Sequence, residues 1–84
     1  SPEGTRRISI SVEPPARGLI ALKGQPGVLD ATLVESEIHL LVPTDLDPES
    51  LRPALEGLEA GTFRPISPSL EDVFVTITRR LAKE

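Results

Sequence analysis

Eighty-four residues, 38% hydrophobic and 26% charged, suffice for one domain with a modest core rather than for two. The absence of Cys, Met, Trp and Tyr, with only two Phe and one His, excludes a disulfide framework, a thiol nucleophile, a thiolate metal site and an aromatic stacking platform. A net charge of −4 argues against electrostatic binding of nucleic acid or anionic lipid, and no apolar run nears the roughly 20 residues of a membrane span.

Residues 1–4, Ser1-Pro2-Glu3-Gly4 with no Met, read as a linker or tag remnant ahead of a single domain over 5–84. Thr5 to Glu13 alternates, with Ile8, Ile10 and Val12 on one face and Arg7, Ser9 and Ser11 on the other, which predicts a half-buried strand. Pro14-Pro15 ends it and can seat a helix over about Pro15 to Lys23. That helix would turn Leu19 and either Leu22 or Ile20 inward and close at Gly24. Gly18 inside it costs about 1 kcal/mol against Ala. Gln25-Pro26-Gly27 turns the chain. Val28 to Val34 and Glu37 to Val42 then form a hairpin around Ser36, although the turn lacks an Asn-Gly signal.

Asp47 is a suitable N-cap, with Pro48 at the first helical position and Leu51, Leu55 and Leu58 at helical spacing. Pro53 conflicts with an unbroken helix, which must start near it or kink at it. Gly61 to Ser67 reads as a last strand, and Pro65 confines it to a sheet edge or a bulge. Ser67-Pro68 opens a final helix with Leu70, Val73, Phe74, Ile77 and Leu81 in one apolar stripe. The order β-α-β-β-α-β-α predicts an α+β fold, a ferredoxin-like βαββαβ sheet with an additional C-terminal helix. Its first and third strands would be central, and the proline-bearing fourth would lie at an edge.

Little here carries chemistry. A single histidine builds no metal site without partners, and His39 is expected on the open sheet face. Glu35 and Glu37 straddle a turn and read as solvated. There is no G-x-x-x-x-G-K-[ST] loop and no G-x-G-x-x-G to cradle phosphate. Arg6-Arg7 and Arg79-Arg80 are too short to form a nucleic-acid patch. An RNA-recognition motif would stack bases on aromatic residues of its central strands, where this chain offers Ser9, Ser11, His39 and Leu41. A heavy-metal-associated domain would carry a Cys pair where Glu13-Pro14-Pro15-Ala16-Arg17 stands.

The run Pro68-Ser69-Leu70-Glu71-Asp72-Val73-Phe74 resembles the closing P-S-L-E-D-V-F segment of bacterial ABC-transporter ATP-binding proteins of the drug- and antibiotic-exporting type. The Pro26-Gly27-Val28 turn, the hairpin and the Leu51-Arg52-Pro53-Ala54-Leu55 helix also fit the small domain that follows the ATPase domain in that family. The resemblance implies a non-catalytic C-terminal domain serving assembly or regulation of an ATPase dimer. The subunit would be cytoplasmic and peripheral to the inner membrane, beneath a transmembrane permease. Its partners would be the upstream ATPase domain, a second copy of the subunit and the permease. ATP and Mg would belong to the upstream domain, with no cofactor in this one, and no catalytic residue carries over. Pro68, Ser69, Leu70, Glu71, Asp72, Val73 and Phe74 are the candidate interaction residues, although capping and burial account for the same segment as the start of a docked helix. The alternative is a stand-alone ferredoxin-like domain for small-molecule sensing or dimerisation.

Overall fold

A computed structural model describes residues 4–66; the expected final helix and the whole Pro68–Phe74 run lie outside the described residues. The two central strands form where the alternation is strongest. In β1 (Thr5–Glu13) Ile8, Ile10 and Val12 are buried, and in β3 (Glu37–Pro43) Ile38, Leu40 and Val42 are. The antiparallel register sets Ile8 opposite Leu40 and Ile10 opposite Ile38, so the two apolar stripes share one face. Burying such stripes together contributes about 25 cal/mol per Å² of apolar surface, the main term in favour of this fold.

Helix α1 (Pro15–Lys23) occupies the expected residues, with proline in its first turn. Leu22 is fully buried while Ile20 is 73% exposed, which resolves the choice between them. The helix does not close on a left-handed glycine: Gly24 has φ −85°, and the Gln25 N–H donates to the Leu22 carbonyl at 3.1 Å. Gly18 has a role that the sequence did not disclose. A β-carbon there would lie 2.7 Å from Val12 Cβ and Cγ1 and 2.8 Å from Ile38 Cδ1, so its bare backbone lets α1 rest directly on the two central strands.

The chain then turns through Gly27 at φ +90°, where any side chain would meet Leu46 Cδ1 at 2.7 Å. Strand β2 (Asp30–Val34) begins two residues later than expected, although the Leu29 N–H already donates to the Leu41 carbonyl at 2.8 Å. Val34 pairs with Glu37, leaving a two-residue turn of Glu35 and Ser36. Glu35 takes φ 56° itself, a conformation more often held by Gly or Asn. The hairpin therefore forms without the expected sequence signal.

Pro53 decides the next element. Residues Pro48–Leu55 wind as a 3₁₀ helix, neither starting at Pro53 nor forming a kinked α-helix. The Ser50 N–H reaches the Asp47 carbonyl at 3.0 Å and the Glu56 N–H reaches that of Pro53 at 3.2 Å, two tight turns in which the missing proline donor interrupts the ladder only locally. Asp47 caps the helix as expected, accepting from the Glu49 N–H at 3.0 Å. Leu51 and Leu55 reach the core.

The last strand differs from the expected Gly61–Ser67. It begins earlier and is broken into β4 (Glu59–Ala60) and β5 (Arg64–Pro65), both antiparallel to β1. Pro65, which has no N–H for a second neighbour, sits on this rim opposite Ile8. Among the described residues the sheet runs β2-β3-β1-β4, with β5 also on β1, and every pairing is antiparallel. Leu22 of α1 and Leu51 and Leu55 of the 3₁₀ helix pack on its apolar face. The architecture is α+β.

Candidate functional site

The opposite face of the sheet collects the polar residues. Thr32 of β2 and His39 of β3 are partners, as are His39 and Ser9 of β1, and Ser9 and Arg64 of β5. One row thus crosses four of the five strands, β2, β3, β1 and β5. Glu37, two residues from His39 on the same face, accepts from Arg64 Nη2 in an ion pair that joins the hairpin to the far rim. Glu37 is thereby half-buried and paired, and only Glu35 is the solvated turn carboxylate that both were expected to be.

Ser9, Glu37, His39, Arg64, Pro65 and Ile66 line a shallow concavity on this face. His39 lies on the open face, as alternation requires. Ser9 departs from expectation: it is only 5% exposed, and its Oγ has no hydrogen-bond partner among the described residues. His39 does not hold that hydroxyl, so the pair lacks the hydrogen bond by which a base activates a nucleophile. No group of three His, Cys, Asp or Glu among the described residues is placed to hold a metal ion. Arg6 and Arg7 part company, because Arg6 donates from Nη2 to the Leu46 carbonyl at 3.1 Å while Arg7 is exposed on the open face.

A second cluster organises the break between β4 and β5. Arg52 of the 3₁₀ helix makes two hydrogen bonds to Glu49, Nε to Oε2 at 2.6 Å and Nη2 to Oε1 at 3.2 Å. It also donates to the Gly61 carbonyl at 3.1 Å and lies 5.2 Å from the centre of the Phe63 ring. Gly61 in turn donates to the Ser11 carbonyl at 2.8 Å. The broken strand is thus tied to β1 by its backbone and to the 3₁₀ helix by one guanidinium.

The hydrogen bond from Arg52 holds the Glu49 carboxyl below its ordinary value and raises the Arg52 guanidinium above its own. A carboxylate with a depressed folded pKa stabilises the fold above its unfolded pKa and loses that contribution as pH falls through the lowered folded value. We expect the urea midpoints of the wild type and Glu49→Gln to differ slightly at neutral pH and to converge in acid, the effect being small because the pair is exposed. A carbon-13 titration of the Glu49 carboxyl checks the direction, and a midpoint above the ordinary glutamate value would contradict it.

The sequence-predicted interaction residues Pro68 to Phe74 lie outside the described residues, so none is placed beside these clusters. Neither the buried Ser9 hydroxyl nor the Glu37–Arg64 pair, 27 residues apart in sequence, carries a local signal; only the sheet register brings them together. No helix among the described residues is long and apolar enough to cross a membrane. No protein-family model, curated protein or solved structure matches this chain.

Proposed function

We propose that this chain is the non-catalytic C-terminal domain of an ABC-transporter ATP-binding subunit of the exporter type, serving assembly or regulation of its ATPase dimer. The observation that carries this reading is the run Pro68-Ser69-Leu70-Glu71-Asp72-Val73-Phe74, placed directly after a small α+β domain. Support comes from the layout before it, which has a Pro-Gly-Val turn, a two-residue hairpin and a short leucine-bearing helix. The strand order β2-β3-β1-β4, with antiparallel neighbours throughout, supports reading the fold as a ferredoxin-like βαββαβ sheet. ATP and Mg belong to the upstream domain in this reading, and the subunit sits in the cytoplasm against the inner membrane beneath its permease.

The alternative, a stand-alone ferredoxin-like sensing or dimerisation domain, draws on the buried Ser9 hydroxyl, unpartnered among the described residues, in the polar concavity. The coding sequence ahead of Ser1 separates the two. A phosphate-binding loop in the same frame is the expected result, and deletion of residues 5–84 from that protein should then impair subunit assembly while leaving nucleotide binding intact. A start codon immediately before Ser1 would overturn the transporter reading.

A further inference from the structure

Strand β2 forms one margin of the sheet, bonded to β3 on one side and to no strand among the described residues on the other. Every second residue of such a strand turns its backbone N–H and C=O away from the sheet, a row of groups ready for another strand. Proteins commonly blunt such a margin with lysine, proline or a bulge. Here Asp30-Ala31-Thr32-Leu33-Val34 contains neither residue and pairs with β3 residue for residue; its one charge and the irregularity where Leu29 and Asp30 both oppose Leu41 lie at its start. Exposed apolar surface gathers at the same place. Of the four large hydrophobic residues exposed among the described residues, Leu29 (57%), Leu33 (38%) and Val34 (41%) belong to β2 or directly precede it.

We infer that β2 pairs antiparallel with β2 of a second copy of this chain, joining two sheets into one across a two-fold axis at Thr32. The strand is self-complementary in that register. Thr32 faces Thr32, Ala31 faces the partner's Leu33, and Asp30 faces the partner's Val34. No like charges are opposed. The two Asp30 carboxylates lie at opposite ends of the pairing, about 14 Å apart at the usual rise per residue, beyond the roughly 8 Å screening length of physiological salt. The centre of the margin is uncharged, so the net charge of −4 on each chain is not concentrated where the copies meet. Helix α1 packs over β2, which brings the two α1 helices to the same side of the joint. The pairing uses no residue of an upstream domain and stands whether or not the transporter reading does.

The position on the axis supplies the test. Thr32 is exposed on the open face, so a longer charged side chain is accommodated in the single copy, whereas in the pair it meets its own like charge. Sedimentation equilibrium of the full 84-residue chain, up to millimolar concentration, is expected to show a dimer for the wild type. Thr32→Lys and Thr32→Glu should each weaken it by about tenfold or more with far-UV circular dichroism unchanged, because like charges juxtaposed across an interface are strongly unfavourable. Mixing the two variants should restore a dimer containing one of each. A monomeric wild type, with the margin then left to residues 67–84 or to another protein, would overturn the pairing. So would a dimer indifferent to both charges.

Discussion

Replacing Ile38 by alanine is expected to destabilise the domain by about 2–5 kcal/mol, the range for truncating a large aliphatic side chain in a packed core. Ile38 has no exposed surface, faces Ile10 across β1 and Leu33 across β2, and reaches the backbone of α1 at Gly18. The cavity is thus walled by two strands and a helix, and none of them can relax toward it alone. Domains this small sit near the low end of the usual stability of about 5–15 kcal/mol, so the variant should be substantially unfolded in modest urea. With no Trp or Tyr in the chain, far-UV circular dichroism is the suitable probe. His39→Ala, one residue along on the open face, is the control and should shift the midpoint little. Equal losses at both positions would contradict the assignment of the two faces.

Gly18→Ala should also destabilise, by up to about 2 kcal/mol, against the usual sign of this change. In an exposed helix interior this change gains about 1 kcal/mol of propensity. At Gly18 the new methyl would sit 2.7 Å from Val12 Cβ, an atom fixed to the β1 backbone, so the helix must lift from the sheet at the cost of overpacking, about 1–3 kcal/mol. Gly24→Ala offers the comparison within the same stretch of chain. Gly24 has φ −85°, and the nearest atom to a β-carbon there is the Ile20 carbonyl oxygen at 3.8 Å. That substitution should be neutral or should stabilise by about 0.4–1 kcal/mol through the unfolded chain. Urea titration of the two variants decides the matter: if Gly18→Ala raises the midpoint, α1 does not rest on the strands at Gly18.

The elements with a clean period were legible in the sequence. Alternation placed β1 at Thr5–Glu13 and the buried trio of β3, while Pro15 and Gly24 bracketed α1. Asp47 was identifiable as a cap because a short carboxylate before Pro48 has one local use. Three features were not legible. Glu35 occupies a left-handed position without being Gly or Asn, since the flanking ladder over-determines the turn. Pro53 left two helical readings open and the 3₁₀ form took neither. The broken rim strand depends on Arg52, which reaches nine residues along the chain to the Gly61 carbonyl.

The candidate site divides along the same line. That His39, Ser9 and Ser11 share a face follows from a side-chain period of two, which is a property of one strand and visible in one strand. That Ser9 is buried with a hydroxyl unpartnered among the described residues, that Glu37 meets Arg64 and that no described strand lies outside β2 are properties of pairing. What the sequence by itself determined was the alternating core positions of β1 and β3, the Asp47 cap and the residues that bracket α1, because these depend on local spacing and on side-chain chemistry. Only the tertiary structure decided the register between the strands, where the backbone of Gly18 meets the sheet and which margin no described strand covers. Those depend on contacts between segments far apart in the chain, whose register no local pattern encodes.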